Sequence, residues 1–350
     1  MDVLPVIWFC AIAVLWVGFL LLEGFDLGVG MHMLFSTRDE KQRRTMLNTI
    51  GPVWDGNEVW LITAGAAIFA AFPLWYASLF SVLYVPLTIV LVALILRACS
   101  IEFRGKVHTQ KWATFWTWTL GLGSLVTAFC IGAALALTSI GLPIDANGDR
   151  VGGPFVWLTP TAILGGLAVV GFALTHGATF LALKTDGEVR DRAARFSGTW
   201  GVLLLLPAAA WALWVQFSHG GGTWLSWILV VLAVVGAVVG WIGARARREK
   251  QAFLGYSGFI VAGAGSIFAG MFPYVLPSTL GADLGLTVSE ASSSDYTLTV
   301  MTIVAAIGLP IVIAYQAWSY WVFRKRITPG MIPEPHIVLP AILRDKTAVK

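Results

Sequence analysis

The chain has 350 residues, of which 57% are hydrophobic and 12% charged, and its mean hydropathy is +0.79. An average soluble domain is about 25% charged, so this chain could not cover a water-facing surface, and a pair of soluble domains is excluded. Seventeen Trp and fifteen Pro suit helices with aromatic ends set in a bilayer, and the net charge of +4 follows membrane topology instead of marking a nucleic-acid partner.

A spanning helix needs about 20 mostly apolar residues. Nine such stretches follow one another at 4–35, 50–72, 76–98, 112–140, 157–184, 198–217, 224–244, 253–276 and 298–323. The first has no basic leader and no small-residue cleavage site, so it is expected to stay as a helix. The connections after stretches one, three, five and seven, with the tail after stretch nine, hold 22 of the 23 Lys and Arg. Arg38, Lys41, Arg43 and Arg44 follow the first stretch, and Arg97, Arg104, Lys106 and Lys111 are assigned to the third loop. The remaining cation, Arg150, lies on the other side beside Asp145 and Asp149. The positive-inside rule then puts the N-terminus outside and the C-terminus in the cytoplasm, as an odd helix count requires.

The expected fold is therefore an all-α polytopic membrane protein with nine transmembrane helices. Gly18–Gly24 aligns with Gly171–Gly177, and both segments run toward a basic loop, the pattern of two parallel four-helix units. The units are 1–140 and 141–276, followed by an outer loop 277–297, a ninth helix 298–323 and a cytoplasmic tail 324–350. Pro329, Pro333, Pro335 and Pro340 keep that tail from forming a regular helix.

Ionisable residues inside spanning helices cost about 2.5–3.5 kcal/mol each, so they mark function. The first helix carries Glu23 and Asp26, the second Asp55 and Glu58, each pair on one face by its spacing. From a turn centred near 36–46, Glu23 and Glu58 lie about 18–20 Å along their helices, and Asp26 and Asp55 about 14–15 Å. The four acids are expected to form one cluster in the cytoplasmic half of the membrane, able to pass protons. A packing role, with Arg97 or Arg104 as counter-ion and Asp26 and Asp55 as a structural pair, is the alternative. In the repeat, His176 takes the place of Glu23 and is a second buried polar site.

Histidine limits the chemistry. His108, His219 and His336 fall in loops or the tail, which leaves His176 and His32 as membrane imidazoles. Two haems held by paired histidines need four. Cys10, Cys99 and Cys130 are scattered and read as reduced and structural, and no metal-binding pattern occurs.

The runs Glu23–Met31 and Gly51-Pro52-Val53-Trp54-Asp55-Gly56-Asn57-Glu58-Val59-Trp60-Leu61-Ile62-Thr63-Ala64-Gly65 resemble subunit II of cytochrome bd quinol oxidases. The likeness continues through Phe69–Pro73, Phe103–Lys106, Phe272–Ser278 and Ala291–Ser294. It departs at Ser289-Glu290, where the family tends to have Trp-Asp. The resemblance implies a bacterial plasma-membrane heterodimer with subunit I, which ligates haems b and d, oxidises quinol and reduces O2 to water. It also implies a proton path through Asp55, an oxygen route past Trp60 and, in some members, a bound quinone. A proton-coupled secondary transporter, with parallel repeats and buried carboxylates, is the competing class; a purely structural membrane subunit is the third reading.

Overall fold

The computed structural model describes residues 3–37, 39–107, 109–218 and 222–332. Arg38, His108, His219 and the tail from 333, with His336, Pro333, Pro335 and Pro340, lie outside the described residues.

The first apolar stretch forms α1 (Val3–Phe35), and the chain then makes a helix where a turn was expected, α2 (Glu40–Ile50). Asp39 explains the difference: its carboxylate accepts from Gln42 N at 2.8 Å and caps α2. The second stretch becomes α3 (Trp54–Ala71). The third divides at Leu83 into α4 (Pro73–Val82) and α5 (Tyr84–Phe103). Pro86, in the first turn of α5, has no N–H to return to the carbonyl of Val82. Next come α6 (Gln110–Ile140) and α7 (Pro160–Lys184), each capped by a threonine, Thr109 and Thr159. The sixth stretch starts ten residues early and is divided near Pro207 into α8 (Glu188–Leu204) and α9 (Leu206–Ser218) for the same reason. Then follow α10 (Trp224–Arg245), α11 (Glu249–Met271), β1 (Tyr274–Leu276), β2 (Leu286–Thr287), α12 (Val288–Ala291) and α13 (Asp295–Val322).

Eight helical segments among the described residues are long and apolar enough to cross a membrane: α1, α5, α6, α7, α8 with α9, α10, α11 and α13. The helix α3 has 18 residues but carries Asp55, Asn57 and Glu58 in its first two turns, and it is not among the eight. The protein is a predominantly helical multi-pass membrane protein.

The helices α1, α6 and α7 pack together at the centre. A Cβ on Gly28 would lie 1.9 Å from Ala173 O, and one on Gly177 would lie 2.6 Å from the Gly28 carbonyl carbon. Only glycine permits that approach. The two helices run parallel, since Gly24 meets Phe172 and Gly28 meets Ala173 and Gly177. His176 thus lies about one turn from the depth of Glu23. The helix α13 leans on α1 and α3 with only Leu298 fully buried.

The connection 277–297 is shorter as a loop than expected, because β1 and β2 pair antiparallel and α13 begins at Asp295. Ser293 ties it to the end of α3 through Ala71 O at 2.8 Å and Ala70 O at 2.7 Å. At the opposite end, Ile327 N donates to Lys184 O at 2.8 Å, and Pro329–Met331 form one 3-10 turn.

Candidate functional site

Three helices deliver ionisable side chains to one buried point. The helix α1 contributes Glu23 and Asp26, α3 contributes Glu58, and α5 contributes Arg97. Glu23, Asp26 and Arg97 are fully buried. Arg97 is therefore not a loop cation as expected: α5 continues to Phe103 and carries the guanidinium into the interior. Gly123 of α6 makes room for it, since a Cβ there would come within 2.9 Å of Arg97 Cγ.

Arg97 Nη1 lies 2.5 Å from Glu23 Oε1 and 2.9 Å from Glu58 Oε1, and Arg97 Nε donates to Ser124 Oγ at 3.1 Å. One guanidinium thus bridges carboxylates from two helices, which its fork geometry allows. Glu23 Oε2, Asp26 Oδ1 and Arg97 Nη2 are buried and have no hydrogen-bond partner among the described residues. Such atoms are rare and expensive unless water or a proton serves them. Arg104, the other expected counter-ion, pairs instead with Glu40 of α2 at 2.7 Å.

The partner of Asp26 is Asn57, not Asp55. Asn57 Nδ2 donates to Asp26 Oδ2 at 2.7 Å, while Asn57 Oδ1 accepts from Tyr320 OH at 2.7 Å and Gln316 Nε2 at 3.3 Å. Asp55 is exposed on the chain surface, one turn from Glu58. The structure thus gathers Glu23, Asp26 and Glu58 and leaves Asp55 at the edge. A signal for this was present in α3: its buried positions Ala71, Ala64 and Asn57 are seven residues apart, a stripe that misses Asp55. Asn57, Gln316 and Tyr320 were not singled out from the sequence, because neutral polar side chains carry no charge anomaly.

Trp60 donates from Nε1 to Gln316 Oε1 at 2.9 Å, and its ring lies where a Cβ on Gly18 would be, 2.3 Å away. It joins α1, α3 and α13. His176 is fully buried between Phe172 and Phe253, with ring centroids 5.0 and 4.7 Å away. Its Nε2 donates to Leu21 O at 3.0 Å, and His32 Nε2 donates to Leu174 O at 2.9 Å. Each imidazole thus fastens its helix to a carbonyl of the other. These bonds fix both rings with Nε2 as the donor, and His176 Nδ1 is left buried without a hydrogen-bond partner among the described residues. Among the described residues no group of three or more His, Cys, Asp or Glu could hold a metal ion.

At Ser289-Glu290, where the sequence departs from the family, Glu290 accepts from Thr287 Oγ1 at 2.6 Å and Thr287 N at 3.1 Å. These bonds form a capping box for α12 and hold the Glu290 carboxyl below the ordinary glutamate value.

Fold and site together define a multi-pass helical membrane protein with a carboxylate–guanidinium cluster in its interior. Residues 4–323 match the family described as cytochrome bd terminal oxidase subunit II. The chain is 41% identical over 327 residues to cytochrome bd ubiquinol oxidase subunit 2 of Bacillus subtilis (strain 168), covering 92% of this chain and 96% of that protein. It is 35% identical over 366 residues to cytochrome bd-I ubiquinol oxidase subunit 2 of Escherichia coli (strain K12), covering 93% and 96%. A solved bd oxidase structure from Geobacillus thermodenitrificans shares the fold, with a TM-score of 0.77 at 19% identity over 92% of this chain and 99% of that one. The chain belongs to the cytochrome bd terminal oxidase subunit II family and is a subunit of an oxidoreductase complex. The resemblance carried by the Glu23–Met31 and Gly51–Gly65 runs is borne out, and the transporter reading is not favoured.

Proposed function

We propose that this subunit conducts protons from the cytoplasm to a quinol-oxidising, O2-reducing complex in the bacterial plasma membrane. In this reading subunit I holds haems b and d and the quinol site. The relatives' names support quinol as substrate, and two membrane imidazoles, His32 and His176, against the four that paired ligation of two haems needs, suit haems held by a partner. The reading also takes α3 as a ninth span, with two four-helix units plus α13 and the N-terminus outside. A bound quinone belongs to the same reading but has no assigned place.

The observation that carries the proposal is the Glu23–Asp26–Glu58–Arg97 cluster. Three carboxyl groups face one guanidinium, so the cluster can hold protons in addition to the Arg97 charge. Asp55, exposed one turn from Glu58, is the collecting group, and Glu58 links it to Glu23 and Asp26. Trp60 borders the oxygen route of this reading, where an apolar gas passes between aromatic-lined helices.

Asp55→Asn keeps the shape of the side chain but cannot change charge, so it separates relay from packing. The expected result is a complex with normal haem content that loses most of its quinol oxidase turnover and proton uptake. Full turnover in an assembled Asp55→Asn complex would remove Asp55 from the route. Lowered haem content with normal turnover per haem would make it structural.

A further inference from the structure

A cavity of about 120 Å³ lies among α7, α9, α10 and α11, on the side of α1 that carries Leu20. Phe172, Trp211, Ala212, Ala233, Phe259 and Ala264 line it. Ser266 is the one residue in the lining with a polar side-chain oxygen, and its Oγ is spent on Gly263 O at 2.7 Å. The indole N–H of Trp211 is spent on Ser139 Oγ at 2.9 Å. A buried water needs about 2–4 polar partners, and the side chains of this wall offer at most the acceptor lone pairs of Ser266 Oγ. Apolar cavities of similar size, about 150 Å³, stay dry and take up xenon or benzene. The volume is also far below the roughly 300–1,000 Å³ of pockets for drug-sized ligands.

The rim of the cavity reaches the apolar surface of the chain. Leu213 and Val234 belong both to the rim and to the exposed surface, at 42% and 57% exposure. On the inner side a smaller cavity of about 20 Å³ shares Leu20, Trp211, Ala264 and Ile267 with the first and continues to Leu135 and Met271. Trp211, pinned by Ser139, is the largest of the four side chains that line both. Gly18, against which Trp60 packs, and Leu20 project about 160° apart on α1, so this pair of cavities is separate from the Trp60 contact.

We propose that the cavity among α7, α9, α10 and α11 is a binding site for a small apolar gas, dioxygen in the working complex, filled from the lipid. The dioxygen assignment rests on the reading of the complex as O2-reducing; the site itself does not.

The test is the structure of the whole complex in lipid nanodiscs under xenon pressure, for the wild type and for Ala233→Leu, with Ala212→Leu as a second filling variant if the first does not assemble. The expected result is xenon density in the wild-type cavity, its loss in the filled variant, and a rise of about threefold in KM for O2 with kcat unchanged. No xenon in the wild type, or an acyl chain occupying the space, would overturn the site. Xenon binding with an unchanged KM in a haem-replete filled variant would overturn the dioxygen assignment. A wild-type complex that consumes no O2 with quinol would instead sink the functional reading, and the xenon density would still decide the site.

Discussion

Arg97 is the residue on which the buried cluster balances. It meets Glu23 and Glu58 at once, while Ser124 holds its Nε and Gly123 admits its stem. Removing one partner of a buried ion pair costs about 3–5 kcal/mol, because the other charge is stranded. Arg97→Met should therefore deplete the assembled complex from membranes, read as haem per milligram of membrane protein. Arg97→Lys keeps the charge but not the fork that spans two carboxylates, so it should fall between wild type and Arg97→Met. Wild-type haem yield in Arg97→Met would show that the acids do not depend on it. Glu290 gives a pH dependence of opposite character, at the water. Its folded value lies below the ordinary glutamate value. The capping box therefore contributes stability that is present above the ordinary value and is lost as pH falls through the lowered one. The protection factors of the Thr287 and Glu290 amides, corrected for the pH dependence of intrinsic exchange, should fall in acid, and Glu290→Gln should flatten that change. An acid response unaltered by Glu290→Gln would assign it to another group.

Helix contacts turn on a few small residues whose importance is positional. Gly28 and Gly177 let α1 and α7 touch backbone to backbone, whereas Gly56 of α3 has nothing within 4 Å of a built Cβ. Gly28→Ala should cost about 1–3 kcal/mol through overpacking, seen as a lowered melting temperature of the complex. Gly56→Ala should be neutral or gain about 1 kcal/mol of helix propensity, unless subunit I closes on that face. Equal effects from the two would contradict the packing described here. The helix α13 depends on polar ties, since Leu298 is its one fully buried residue. Tyr320→Phe removes the bond to Asn57 and should cost about 1 kcal/mol, read as faster hydrogen exchange in the second half of α13. Most helices were legible from apolar length alone. The interruptions at Leu83 and Leu205 were written in Pro86 and Pro207, and α2 in the cap at Asp39, but a scan for 20-residue apolar runs smooths over both kinds of signal.

At the scale of the molecule, charge placement sets which end faces the cytoplasm. Arg150 sits among acids in the connection between α6 and α7, while Lys250 opens α11 among cations. With Cys10, Cys99 and Cys130 replaced, a membrane-impermeant thiol reagent added to intact cells should label Asn147→Cys. Lys250→Cys should react only after permeabilisation. The reverse pattern would invert the topology, and with it the cytoplasmic origin of the proton route.

Hydropathy, a property of the chain read in order, sufficed for a multi-pass helical protein, and the positions of Lys and Arg gave the orientation that the thiol labelling tests. The acid pairs and the Gly51–Gly65 run were enough to name the family and to point at Glu23, Asp26 and Glu58. What spacing could not decide was which side of α3 turns inward, because Asp55 and Glu58 are equally compatible with one helical face. The crossing of α3 with α1 and α13 decided it, placing Asn57 on Asp26 and Asp55 outside. Nor could order along the chain choose between Arg97 and Arg104 as the counter-ion of Glu23; the structure gives Arg104 to Glu40 and Arg97 to Glu23. That pairing exists only where α5 and α6 pack and a missing Cβ at Gly123 leaves a path for the guanidinium.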